Sequence, residues 1–382
     1  MVEAIHGESG AHTMKIEAIH LREIAMPLVQ PFQTSFGVTI QRRILLIEIE
    51  SDGLSGWGEC VAGEHPYYSE ETVDTAWAIV AGELGQMLLK GPVEHGGNCP
   101  SLFKRVRGNR MAKASLENAV WDMEAQRRKV SLAELLGGTR EVIGCGVSIG
   151  IQPTPEQLME KIEAEVAAGY QRIKLKCQPG WDVKIFEMVR KRWPDIALSC
   201  DANGAYRIRD FEHLAAFDEF NLMMLEQPLW YDDFYFHSML QKQLHTPVCL
   251  DESIRNRRDA LAAIDMESCR IINVKVGRVG GFSEAIAIHN ATSERGVPVW
   301  CGGMLETGIG RSHNVALSSL QNFTLPGDVS ASKRYWAEDV IEPAVEVSVN
   351  GEITVPGKLG RGYEVRKDLI EKLTVRRETL RP

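Results

Sequence analysis

Five charged residues stand at nearly constant intervals along the middle of the chain: Lys176, Asp201, Glu226, Asp251 and Lys275, spaced 25, 25, 25 and 24 residues apart. Each closes a short apolar run, and helical stretches separate the runs. One strand with its returning helix takes about 25 residues, so a constant period sets each charge at the same point, the C-terminal end, of consecutive parallel strands. Runs of this texture occur at 146–150, 173–176, 196–201, 222–226, 248–251, 271–275, 297–301 and 322–325. Strands buried on both faces and joined by helices form a parallel sheet, and eight of them favour closure into a barrel. A helix start is written into Thr154-Pro155-Glu156-Gln157, which supplies an N-cap, a proline at the first helical position and a capping-box partner.

The flanks read differently. Segments 16–25, 40–50 and 55–60 alternate like antiparallel strands, the last two joined by an Asp52-Gly53 turn. Between the first two lies 26–38, a stretch with Pro27, Pro31, Phe32 and Phe36 that reads as a loop covering something. Residues 69–90 and 111–136 have helical periodicity. Beyond about Asp339 the βα rhythm stops, and 345–349 with 352–355 read as a hairpin around Asn350-Gly351. The expected organisation is an arm (1–13), a capping domain (14–140), a barrel (141–340) and a C-terminal segment (341–382) returning to the first domain.

A chain of 382 residues with 44% hydrophobic content is long enough for two cores. Its net charge of -9 disfavours nucleic acid and anionic membrane as partners; the one basic cluster, Lys104, Arg105, Arg107, Arg110 and Lys113, reads as a solvated face. No run of about 18 apolar residues is present to span a bilayer. The eight cysteines form no C-x-x-C pair and lie mostly in apolar runs, as buried thiols do in a reducing compartment. Residues 1–13 lack the apolar core of a secretory signal. The expectation is a cytoplasmic protein that associates with copies of itself.

Three carboxylates converging on one barrel mouth repel one another unless a cation lies between them. Oxygen donors select a hard ion, so Asp201, Glu226 and Asp251 point to Mg²⁺, with Mn²⁺ as a substitute, and the sequence has no zinc-like His or Cys spacing. Lys174 and Lys176, two apart in a strand, share a face. A neighbouring ammonium and a dication both favour the neutral amine, which makes Lys176 a candidate general base, and Lys275 would reach the substrate from four strands away. One amine on each side of a metal-held carboxylate suits removal of an adjacent proton while the metal stabilises the enediolate. The alternative is a layer of salt bridges in a scaffold barrel without chemistry.

Weaker candidates share the mouth. Ser148 reads equally as a substrate contact or a turn serine, and Asn203 as an orienting group or half of an Asn-Gly turn. Gly302, Gly303 and Met304 precede a helix whose N–H groups suit an anion, or else form a tight turn. Arg278 would depress the proton affinity of Lys275 or face solvent. Phe32 and Phe36 would wall the pocket or pack in the first domain. The chain contains no phosphate loop, no G-x-G-x-x-G after a strand and no G-x-S-x-G elbow.

These residues resemble the enolase superfamily, in the muconate-cycloisomerase-like branch with Lys-x-Lys on the second strand. More closely, Lys174-Leu175-Lys176, Asp201-Ala202-Asn203, Glu226-Gln227-Pro228, Asp251-Glu252-Ser253, the stretch from Asn273 to Gly281, that from Gly302 to Gly308, Pro326-Gly327-Asp328 and Arg334-Tyr335-Trp336 are similar to the o-succinylbenzoate synthase and N-succinylamino acid racemase family. The resemblance runs from about Met14 to Val365. It implies an α/β fold, a (β/α)7β modified TIM barrel under an α+β capping domain completed by the C-terminal tail. It implies that Asp201, Glu226 and Asp251 bind Mg²⁺, that Lys176 and Lys275 are the acid/base pair, and that the substrate is a small carboxylate. Synthase, racemase or both activities are compatible with it, Arg278 tilting toward racemase; a His base in place of Lys275, or Asp-x-Asp in place of 302–305, would have marked other relatives.

Overall fold

The computed structural model describes residues 13–382, so the expected arm at 1–13 lies almost wholly outside the described residues. Among those described, two sheets organise the chain. The first is antiparallel: β1 (Ala18–Thr34), β2 (Gly37–Ser51) and β3 (Leu54–Cys60) form a meander. Asp52 and Gly53 both take positive φ, 51° and 75°, as a two-residue hairpin with the twist of its strands requires. The expected loop at 26–38 is instead the far half of the β1–β2 hairpin. Pairing lapses at Pro27, which has no N–H to donate, and resumes with Phe32 opposite Thr39. Ile151 N–H donates to the Gln33 carbonyl at 3.1 Å and Val29 N–H to Tyr335 at 3.0 Å, so this extension is tied over the barrel.

The helix Arg110–Arg128 lies on β3 because that strand carries glycines where the helix crosses it. A Cβ on Gly58 would stand 1.9 Å from the Ser115 carbonyl oxygen, and one on Gly56 2.0 Å from that of Ala119. The expected helix at 111–136 is broken at Lys129, whose φ is 59°, and restarts as Leu132–Leu136 behind the Ser131 N-cap. The last strand of the chain, β11 (Thr374–Leu380), pairs antiparallel with β1, so the C-terminal tail completes the first sheet.

The second sheet is parallel, its seven strands neighbouring one another in chain order: β4 (Gly146–Ile149), β5 (Arg172–Lys176), β6 (Leu198–Asp201), β7 (Leu225–Glu226), β8 (Val248–Leu250), β9 (Ile271–Val274) and β10 (Val299–Cys301). The expected eighth strand, 322–325, forms single parallel bridges instead. Phe323 bridges Val299 on one edge and Gly327 bridges Cys145 on the other, which closes the ring; Pro326 interrupts the donor row between them. The expected 345–355 hairpin is also reduced. Glu352–Thr354 pairs with Val142–Gly144 beside the barrel, and the Gly351 carbonyl accepts from Cys145 N–H at 2.8 Å. Thr154 caps its helix as its sequence predicts, accepting from Gln157 N–H at 3.3 Å.

Outward residues of the barrel strands, such as Val147, Leu175, Leu225 and Ile272, join the main apolar cluster under the helices. Met224, Cys249, Ile271 and Trp300 form a separate cluster inside the barrel. The reading of the cysteines as free thiols holds for six of them. Cys177 and Cys200, on the outer side of β5 and β6 with Cα atoms 6.4 Å apart, are joined as a disulfide. No described helix is long and apolar enough to cross a membrane. Since nothing at Gly58 can yield except the helix backbone, Gly58→Ala should cost about 3 kcal/mol or more; urea unfolding measures it, and a loss under about 0.5 kcal/mol would contradict this packing.

Candidate active site

Strand register assembles the charged ring. Lys176 is paired with Asp201, and Asp201 with Glu226, at the ends of β5, β6 and β7. Glu226 pairs with Cys249, and Leu250 with Ile272, so Asp251 and Lys275 each stand two residues further along their strands. A stagger of two preserves the alternation of side chains and keeps all five facing the barrel interior. Asp201, Glu226 and Asp251 are at most 1% exposed, and Lys174, Lys176 and Lys275 are buried beside them at 2%, 8% and 7%.

Each acid meets an ammonium. Lys176 Nζ lies 2.6 Å from Asp201, Lys275 Nζ 2.8 Å from Asp251, and Lys174 Nζ 2.9 Å from Glu226 and 3.2 Å from Asp201. Burial alone would raise the Asp201 carboxyl; Lys176 and Lys174 outweigh it and hold the group well below the carboxylate range. Burial likewise works against the Lys275 ammonium, but Tyr68, Glu252 and Glu226 prevail and hold its pKa above the ordinary lysine value. The protein's own side chains therefore favour the charged form of this lysine, contrary to the expected depression by Arg278. Arg278 does not face solvent; it is 4% exposed, donates to Asp251 and to the Ile254 and Asn273 carbonyls, and burial lowers its own pKa.

The other candidates fall into place unevenly. Asn203 accepts from Lys176 Nζ at 2.6 Å and donates to Glu252 at 2.8 Å, and its φ of 44° belongs to the Asn-Gly turn. Phe32, Ser148, Lys174, Lys176, Lys275 and Gly303 line one cleft of about 410 Å³, where the buried Ser148 hydroxyl has no protein partner. Phe36 stands at the hairpin turn, 38% exposed, away from that cleft. Gly302 admits Lys275, since a Cβ there would lie 2.7 Å from its Cε. Gly302 N–H donates to Val274, and Met304 N–H to Glu306, so both are already engaged. At the start of helix Gly308–Ser318 the anions are the protein's own: Glu59 accepts from Thr307 and Gly310 N–H, and Asp339 from Gly308 N–H.

Sequence reasoning gave no role to Asp328, Glu252, Tyr335 or Tyr68. Asp328 takes Lys174 Nζ at 2.6 Å and pairs with Arg172. It lies 53 residues beyond Lys275, out of step with the period of about 25, so the spacing did not reveal it. Tyr335 stands edge-on to Phe32 with centroids 6.4 Å apart. Tyr68 comes from the first domain and reaches Lys275 across 207 residues of sequence, a contact with no periodic signal. Among the described residues, His20, Glu48 and Glu50 on the antiparallel sheet gather ligand atoms within 4.8 Å, closer than the three barrel acids stand to one another, but Arg22 and Lys367 already claim Glu48. Chemically, the mouth can hold a hard cation on Asp201, Glu226 and Asp251, whose all-oxygen donor set and burial fit one, with an amine on either side.

A barrel closed by a parallel sheet, with acids at consecutive strand ends and a separate α+β cap over the mouth, defines the enolase superfamily. Residues 15–137 match the mandelate racemase / muconate lactonizing enzyme N-terminal domain, and residues 157–369 the enolase C-terminal domain-like family. The chain is 52% identical over 362 residues to an o-succinylbenzoate synthase of Geobacillus kaustophilus, covering 94% of this chain and 96% of that one. It is 43% identical over 362 residues to an N-succinylamino acid racemase of Amycolatopsis, with 94% and 98% covered. A solved enolase-superfamily structure from Listeria innocua superposes with a TM-score of 0.93 at 41% identity, covering 96% of this chain and 99% of that one. The chain belongs to the o-succinylbenzoate synthase / N-succinylamino acid racemase family and is an enzyme of the enolase superfamily.

Two cap carboxylates join the domains and carry a pH signature. Glu59 caps the barrel helix Gly308–Ser318, and Glu117 accepts from Ser283 N–H at 2.7 Å in helix Phe282–Glu294. Burial pushes both carboxyls up to about 7 from 4.5. The folded chain then holds protons that the unfolded chain releases, so stability is fully present below pH 4.5 and falls as pH rises through about 7. Relative to Glu59→Gln, the wild type should lose of order 3 kcal/mol between pH 4.5 and 8; parallel urea-unfolding profiles would rule this out.

Proposed function

We propose that the chain catalyses the dehydration of 2-succinyl-6-hydroxy-2,4-cyclohexadiene-1-carboxylate to o-succinylbenzoate, and that it also racemises N-succinylamino acids. The observation that carries this reading is the pair Lys176 and Lys275, set four strands apart on either side of the ring of three buried acids. Asp201, Glu226 and Asp251 would hold Mg²⁺, or Mn²⁺ in its place. When bound, the dication supplies positive charge to the substrate carboxylate and offsets the acids that favour a protonated lysine.

The chain's own groups do the proton work. For dehydration, the Lys176 amine takes the proton α to the carboxylate; the C–O bond then breaks, and Lys176 returns that proton to the departing hydroxyl, so water leaves and the amine is restored. Lys275 stays an ammonium beside the charge developing on the carboxylate oxygens. For racemisation, one lysine removes the α-proton and the other delivers a proton to the opposite face. Asn203 and Asp201 orient Lys176, and Phe32, Tyr335 and Ser148 wall the cleft where the remainder of the substrate would lie. A racemase without synthase activity is the second reading, and the tether of Arg278 to Asp251 beside Lys275 favours it.

Two measurements test the proposal. In D₂O with Mg²⁺, N-succinylamino acids should exchange their α-proton, the cyclohexadiene acid should lose water, and Lys176→Ala or a chelator should reduce both by about a thousandfold or more. Absence of both reactions in the wild type would reject it. Separately, Mg²⁺ or Mn²⁺ alone should raise the thermal unfolding midpoint, because binding to the folded chain adds to its stability, and Glu226→Gln should abolish that rise. An equal rise in Glu226→Gln would place the ion elsewhere.

A further inference from the structure

The segment between β3 and the helix Val73–Ile79 has no regular strand or helix from 64 to 71, yet it is held firmly. Gly63 bridges Thr72, and the Glu71 carboxylate accepts from Met111 N–H at 2.9 Å and Ala112 N–H at 3.0 Å, at the N-terminus of the 19-residue helix Arg110–Arg128. A carboxylate on a helix start is a stable anchor. It fixes the position of Tyr68, whose ring packs on the core of the first domain and whose hydroxyl enters the barrel mouth.

That hydroxyl is fully used. It donates to Asp251 at 3.0 Å and accepts from Lys275 Nζ at 3.1 Å and from Arg278 at 3.3 Å, which exhausts one donor and two acceptor positions. The ring itself lies under the Lys275 ammonium, 4.5 Å from the centroid. Lys275 therefore has two close polar partners, Asp251 and Tyr68. Lys176 is different: its partners Asp201 and Asn203 both belong to the barrel.

We propose that Tyr68 is a positioning residue through which the capping domain holds Lys275 at proton-transfer distance on its own face of the substrate, and that it thereby sets how well the enzyme racemises relative to how well it dehydrates. This rests on the function proposed above. A flexible lysine must be placed within a hydrogen bond of the α-proton to exchange it, and a misplacement of about 1 Å costs about a hundredfold. As a cation beside a carboxylate it tolerates the same displacement, since the Coulomb interaction falls only inversely with distance. Loss of the hydroxyl should therefore harm the step in which Lys275 moves a proton and largely spare the step in which it does not.

Tyr68→Phe keeps the ring and removes the hydroxyl. The two enantiomers of one N-succinylamino acid present their α-protons to different lysines, so the ratio of their initial exchange rates in D₂O isolates the Lys275 face. In Tyr68→Phe this ratio should change at least about tenfold against the Lys275 enantiomer, while kcat/KM for dehydration falls less than about threefold. Tyr67→Phe, at a neighbouring ring that is 64% exposed, should leave both unchanged, and equal thermal midpoints for all three proteins would confirm intact folding. An unchanged ratio, or equal losses at both faces and in dehydration, would overturn the proposal. Failure of the wild type to exchange either enantiomer or to dehydrate would overturn the functional reading itself, before any variant is made.

Discussion

Three carboxylates with almost no contact with water, set side by side at the ends of neighbouring strands, are the constraint to which the rest of the molecule answers. Isolated, each would cost several kcal/mol to bury. The fold tolerates them because lysines on the adjoining strands point the same way: Lys174 alone spans Asp201, Glu226 and Asp328. Beneath this layer Trp300 fills the barrel, with Arg172 and Lys174 over its ring at 4.5 and 4.7 Å, so the cations rest on an aromatic face rather than on open space.

The capping domain is bound to the barrel by the same kind of chemistry. Glu59 and Glu117 place buried carboxylates on the N-termini of two barrel helices, where backbone N–H groups and the helix dipole favour negative charge. Asp122 does likewise at the C-terminal segment, accepting from Trp57 and Arg361. These contacts explain why the helix starts next to the mouth are closed to a substrate anion. Their donors are committed to holding the cap, whereas the cleft lined by Phe32 and Tyr335 contains none of them.

The barrel and its ring were legible because both depend on period. A spacing of 25 residues together with side-chain alternation fixes which residues face inward, even where the strands stagger by two. The short β1–β2 loop was misread because Pro27 and Pro31 look like loop residues, although a hairpin edge accommodates them with a local lapse in pairing. The eighth strand was over-read from apolar texture alone, in a segment where Pro326 and Gly327 permit only isolated bridges. Asp328 falls out of step with the charge period and was hidden from it. Tyr68 was hidden as well, because a contact between domains is set by tertiary packing and leaves no local pattern; so was the pairing of Cys177 with Cys200, which depends on the register of β5 against β6.

The two lysines consequently differ in what supports them, and on the proposed function this bears on how one site could serve two reactions. Lys176 is held by Asp201 and Asn203, so a base on that face needs only a folded barrel. Lys275 is held partly by Tyr68, on a segment anchored to a cap helix through Glu71. On the proposed function, dehydration with Lys176 as base and acid would ask the second face only for positive charge, which Arg278 and Lys275 would supply together. Racemisation asks that face for a proton at one point in space. Its rate should therefore follow how firmly the cap is seated, and substitutions in the capping domain that touch no substrate should shift the balance between the two proposed activities.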